Sequence, residues 1–237
     1  MAKVHAATVL ALLAVAVPGL CFNGPDPRTP AGQLAACGGA ANWQALGYLK
    51  FTVKITSPSG VQGPYLYRWD RRDGFLRLTA PAAGGGKTAI AIDLASKTGG
   101  AWIDGAQLTG SRLADTMKWA LQRFGEDTLW LTFPLDWGMA GVTVKPLPDV
   151  PEAGGAMAPA TDVISAVGDW KVTLDPATGR VERTVLARNG GTLTVTWSDW
   201  RAHGGVYFAH ERTIAETGET VDVDVLQALP QPPAGDF

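Results

Sequence analysis

Charge, cysteine and histidine are all scarce in this 237-residue sequence. Charged residues make up 18% of it and the formal net charge is −2. Acids and bases are interspersed, and no basic stretch interleaves with aromatics, so the electrostatic footprint of a nucleic-acid-binding protein is missing. With three His and two Cys, there is no His-x-Glu-x-x-His and no pair of Cys-x-x-Cys motifs. Neither a metal site nor a cofactor is signalled. Beyond residue 17 no run is apolar for long enough to cross a bilayer as a helix.

What is present begins with an export signal. Met1 to His5 carries Lys3, Ala6 to Val17 is apolar and uncharged, and Pro18-Gly19 ends the run. That is a basic n-region, an apolar stretch too short to span, and a small-residue exit. Residues 1–19 are therefore expected to be removed on export, and 20–32, rich in Pro and Gly, to form a flexible tether. Localisation follows: periplasm, or the outer membrane if Cys21 carries a lipid. Cys21 and Cys37 admit that reading and two others. Val17-Pro18-Gly19-Leu20-Cys21 only loosely matches a lipidation site. A Cys21–Cys37 disulfide would close a loop of about 15 residues, worth about 3 kcal/mol in the chain-entropy model. Two inert thiols are the third reading.

From Leu49 onward the apolar period is two. Leu49, Phe51, Val53 and Ile55 alternate with polar residues, as do Tyr65, Tyr67 and Trp69, then Ile90, Ile92 and Leu94. Trp170, Val172 and Leu174, then Leu193, Val195 and Trp197, repeat the pattern on either side of Asn189-Gly190, a strong hairpin signal. Two helices interrupt it: a weak one over 33–46, with Gly38-Gly39 in its middle, and one carrying Leu113, Met117, Ala120 and Phe124 on a single stripe. Leu129, Leu131 and Phe133 are expected to return as a strand. Residues 147–160 are expected to be a long loop, and 230–237 a loose tail. About ten closely spaced strands cannot be parallel, because parallel crossovers need a dozen or more residues. The fold expected is mainly β (α+β): a curved antiparallel sheet, or incomplete β-barrel, of about ten strands, covered by one or two helices and forming a single half-barrel domain over 33–229.

Several motifs invite a sharper reading and fail it. Gly84-Gly85-Gly86-Lys87-Thr88 ends like a phosphate loop, but Pro81 stands where its first glycine belongs, and a strand follows instead of a helix. Ser198, Asp199, His203 and His210 lie close in sequence without a nucleophile elbow. Asp222 and Asp224 share a polar strand face, too few ligands for a calcium site. No catalytic residue is assigned, and a hydrolase stays a remote alternative. The nine Trp are the positive feature. They either fill the core or line a cavity for an apolar ligand. Strand parity makes Phe51, Val53, Tyr67, Trp69, Ile92, Trp102, Leu131, Phe133, Val172, Val195 and Trp197 the candidate lining.

A family resemblance can be set beside these residues. Cys37-Gly38-Gly39-Ala40-Ala41-Asn42-Trp43 leading into Leu49-Lys50-Phe51 resembles the opening of the LolA/LolB-like lipoprotein-localisation superfamily. Tyr67-Arg68-Trp69-Asp70, Trp102-Ile103-Asp104-Gly105, Leu129-Trp130-Leu131 and Leu174-Asp175-Pro176-Ala177-Thr178-Gly179 resemble its successive strands. So does Trp197-Ser198-Asp199-Trp200-Arg201 with Gly204-Gly205-Val206, and the likeness runs from about residue 37 to 227. It implies an incomplete antiparallel barrel closed by helices, with an apolar interior that in the carriers holds lipoprotein acyl chains. The expectation is an exported, non-enzymatic envelope protein whose partners are lipid or lipoprotein acyl chains. The alternative is a structural or assembly module of the envelope with a filled core.

Overall fold

The computed structural model describes residues 22–152, 155–188 and 191–237. Thirteen antiparallel strands among them form one open sheet. The first half is a meander of β1 (Tyr48–Ser57), β2 (Gly60–Asp70), β3 (Phe75–Pro81), β4 (Lys87–Asp93), β5 (Thr98–Ile103) and the short β6 (Ala106–Gln107). The second half runs through β7 (Thr143–Pro151), β8 (Met157–Ser165), β9 (Gly168–Leu174), β10 (Val181–Arg188), β11 (Gly191–His203), β12 (Val206–Ile214) and β13 (Glu219–Leu229). The two meanders join where β1 pairs with β13, Phe51 facing Val225 and Val53 facing Val223. This leaves β6 and β7 as the two edges.

The helix α3 (Gly110–Thr132) connects those edges, so it has to cross the sheet. Laid flat, the edges would stand about 58 Å apart at about 4.8 Å per strand. A 23-residue helix reaches only about 34 Å. The helix alone is therefore short for a flat sheet; residues 133–142 carry the chain on from its end to β7, and curvature of the sheet shortens the distance to be covered. The face that α3 covers carries the core, from Leu49, Phe51 and Val53 on β1 through Val172 and Leu174 on β9 to Val221, Val223 and Val225 on β13.

The structure has thirteen strands where about ten were expected, and the difference lies in particular segments. Leu129, Trp130 and Leu131 are helical, because α3 meets no breaker before Pro134 and runs on to Thr132. Residues 147–160 are no loop but mostly the paired strands β7 and β8, with Leu147 facing Ala160. Pro146, Pro148 and Pro151 suit β7 because it is an edge, where a missing N–H costs little. The weak helix over 33–46 is two helices, α1 (Pro30–Ala36) and α2 (Ala40–Ala45), parted at Gly38 and Gly39, whose φ values are 107° and 98°. Asn189-Gly190 lies outside the described residues, but the flanking strands pair from Arg188 to Gly191.

Residues 22–29 and the C-terminal tail make defined contacts. Phe22 donates its backbone N–H to the Pro176 carbonyl (3.0 Å), and Arg28 pairs with Asp149 (3.1 Å). At the other end the Tyr48 hydroxyl donates to Asp236, and Phe237 stands edge-on to the Tyr48 ring, 6.0 Å between centroids.

Candidate functional site

The period-two pattern carries apolar residues to the face under α3 and aligns them across strands. Phe51 stacks on Tyr67 at 4.8 Å, and Trp69 meets Phe124 of α3 edge-on at 5.2 Å. Ile92, Val172, Val195 and Trp197 belong to the same continuous core, as does Val53. Leu131 and Phe133 join it too, but from the last turn of α3 and its C-cap. Trp102 does not. Its neighbour Ala101 points inward, fully buried opposite Ile90, and Trp102 takes the other face in a groove of about 290 Å³ with Arg68 and Arg77. Eleven lining candidates thus reduce to ten that meet, since parity was read one residue out at this strand end.

The first half of α3 leaves the sheet partly uncovered. On one side Leu113, Met117 and Leu121 face Thr98 and Gly99 across a cleft of about 490 Å³. On the other, Arg112, Asp115 and Trp119 face Thr88 and Ile103 across one of about 520 Å³. Trp119 is 39% exposed and lies edge-on to Tyr65, 6.0 Å away.

Polar groups fasten the middle of the helix to the apolar face. The Tyr67 hydroxyl donates to Asp127 Oδ2 at 2.5 Å, and Arg123 Nε donates to the same oxygen at 2.9 Å. Asp127 is wholly buried. Burial pushes its carboxyl above the ordinary range, against the pull of the Arg123 guanidinium. Burial first, and then the Asp127 charge, raises the Tyr67 hydroxyl strongly. One turn on, the helix is tied a second time. Arg212 of β12, also fully buried, donates from Nη2 to the Trp130 carbonyl, with its guanidinium 5.0 Å from the Trp197 ring centre. Burial alone lowers the Arg212 guanidinium to about 9.

The chain matches no known family model, and no curated protein is similar to it.

The other residues singled out from sequence go separate ways. Ser198 donates to Glu211 (3.4 Å), Asp199 pairs with Arg201, and the His203 and His210 Nε2 atoms meet at 3.1 Å. His210 Nδ1 lies 3.5 Å from Asp224, while Asp222 pairs with Lys54. Among the described residues no three His, Cys, Asp or Glu side chains converge as metal ligands would. Lys87 opens strand β4, so the glycine run before it is a hairpin loop. Cys37 is buried, and burial pushes its thiol up to about 12. Cys21 lies outside the described residues.

Sequence reasoning missed Asp127 and Arg212, although a signal existed for both. Asp127 sits seven residues after Ala120 and three after Phe124, on the buried stripe. Arg212 shares its face of β12 with Val206, Phe208, His210 and Ile214, all buried.

Proposed function

We propose that this protein binds an apolar, chain-like ligand such as a lipid or lipoprotein acyl chain in a half-barrel trough, as an exported envelope protein without a catalytic role. The observation that carries the reading is the way α3 lies on the sheet. An apolar face is crossed by a helix held through buried polar groups and flanked by clefts of about 490 and 520 Å³. Among the described residues, two hydrogen bonds cross between α3 and the sheet, Tyr67 to Asp127 and Arg212 to the Trp130 carbonyl, and each is worth only about 0.5–3 kcal/mol net. Such a helix can yield to a ligand at modest cost. Clefts of this size fall in the range of small-molecule sites, and Leu113, Met117 and Leu121 offer apolar wall. Each methylene moved from water into the trough contributes about 0.8 kcal/mol. The motif resemblance to lipoprotein-localisation carriers points the same way, with export through residues 1–19 and anchorage at Cys21 as its corollaries.

Titration of the exported chain with 11-(dansylamino)undecanoic acid tests this directly. Saturable one-to-one binding with a blue-shifted dansyl emission is expected. Linear, unsaturated emission at every protein concentration would reject it. Intact-mass measurement of protein from its own envelope reports in parallel on an acylated Cys21.

A second reading is favoured by a different observation. Phe51, Tyr67, Leu131 and Trp137 are all 2% exposed or less, so the centre beneath the helix is filled. On that reading the protein is a structural or assembly module. No probe would then displace α3.

A further inference from the structure

Among the described residues, four buried nitrogen atoms in one aromatic cluster have no protein acceptor: Nε and Nη1 of Arg212, and the indole Nε1 of Trp137 and of Trp170. The cluster is continuous. Phe133 stands at its centre, 5.3 Å from the Trp170 ring, 6.0 Å from Trp137 and 5.5 Å from Trp197, and Arg212 lies over Trp197. These side chains come from the C-cap of α3 and the segment after it, and from β9, β11 and β12. The one side-chain hydroxyl that an indole here uses, Thr184 Oγ1, takes the N–H of Trp197 (3.1 Å).

Every unpaired polar side-chain atom in this cluster is a donor. Gln33 Oε1, Glu152 Oε1 and Gln227 Oε1, the unpaired buried acceptors, belong to other parts of the fold. A guanidinium with no carboxylate partner is among the least tolerated groups in a protein interior. Arg212 has only a backbone carbonyl and an aromatic face to offset that burial. Unpaired N–H groups and a cation within one aromatic cluster call for a group that only accepts, which is the character of an ionised carboxylate or a phosphate.

We infer that Arg212, Trp137 and Trp170 form a receptor for the anionic oxygens that head an acyl chain, so that the ligand is an ionised amphiphile with a carboxylate or phosphate end. This rests on the trough reading above and gives it a polarity. The head group lies at the Phe133 end, where the Trp130 carbonyl now takes Arg212 Nη2. The chain runs back along α3 towards Leu121. A neutral ester or alcohol of the same length lacks the charge that Arg212 is placed to meet.

Calorimetric titration of the exported chain with dodecanoate, dodecyl phosphate and dodecan-1-ol separates the possibilities. At least one anionic probe is expected to bind 10-fold or more tighter than the alcohol, in line with hydrogen bonds to a charged group. Whichever anion wins identifies the source of the oxygens. Arg212→Met should erase that preference, read as the ratio of the anion affinity to the dodecan-1-ol affinity in the same variant. Trp170→Phe keeps the ring and removes one N–H, so it should weaken only the anions, and it decides the matter if Arg212→Met does not fold. If all three probes bind equally to the wild type, and neither variant changes this, the donors are met by water and the receptor is refuted while the trough stands. If no probe binds, the trough reading itself falls.

Discussion

Removing the Asp127 carboxylate is the sharpest test of how α3 is held. Asp127→Ala deletes the acceptor shared by Tyr67 and Arg123, both of which lie against the buried face. Taking one partner from a buried pair costs about 3–5 kcal/mol, because the other charge is left uncompensated. Here the lower end applies. Arg123 has a second acid in reach, Glu126 at 3.6 Å, and Glu126 is half exposed. Alanine also returns a few tenths of a kcal/mol of helix propensity. The expected loss is about 3 kcal/mol, read from the urea midpoint at constant m, with Tm lower by about 6–12 °C for a domain of this size. Replacing all three groups together, Tyr67→Phe with Arg123→Met and Asp127→Leu, should restore stability or exceed the wild type, since apolar substitutes for a buried pair are often neutral to stabilising by about 1–4 kcal/mol. An Asp127→Ala variant within about 1 kcal/mol of wild type would refute the reasoning. So would a triple variant as weak as the single one.

Other perturbations follow from the same structure. Phe124→Ala removes the ring that Tyr67 and Trp69 pack against. It should cost about 3–5 kcal/mol and, on the trough reading, enlarge the site and tighten dansyl-undecanoate binding. A filled structural core would show only the stability loss. Gly38→Ala would place a Cβ 2.0 Å from the Gly205 carbonyl oxygen at a φ of 107°. It should cost clearly more than Gly39→Ala, which meets nothing within 4 Å and carries only backbone strain of about 1–3 kcal/mol. Thermal melts of the two side by side check the difference. Burial, and in second place Arg201 for His210, holds the His203 and His210 imidazoles below their ordinary value, against the pull of Asp224. The unfolded chain therefore takes up these protons first. Stability should be level above pH ~6.5 and fall as pH drops below it through the lower folded values. His203→Gln or His210→Asn should flatten that fall in urea midpoints measured between pH 7.5 and 6. An unchanged slope in both would remove the imidazole pair as its cause.

Much of the sheet was legible because one wet face and one dry face impose a period of two. Leu49 to Ile55, Tyr65 to Trp69 and Trp170 to Leu174 declare their strands in this way. Where the period is not unique, the reading fails. Leu129, Leu131 and Phe133 alternate as a strand would, yet a helix begun about twenty residues earlier continues through the first two and is capped at the third, just before Pro134. Residues 147–160 carry prolines that resemble a loop, but an edge strand tolerates proline wherever its outer N–H has no partner. At Trp102 a one-residue error in parity exchanged the faces of the sheet, so a predicted lining residue stands outside with Arg68 and Arg77.

Local sequence thus determined which stretches are extended and which face of each is apolar, because that choice depends on residues two apart. Only the tertiary structure decided what those faces meet. Tyr67 and Asp127 are 60 residues apart, and Arg212 and Trp130 are 82 apart. Parity could place each of them inside, but it could not say which carboxylate, carbonyl or ring would stand opposite. The pairing of buried polar groups is a long-range property, fixed once β1 joins β13 and α3 is laid across the sheet.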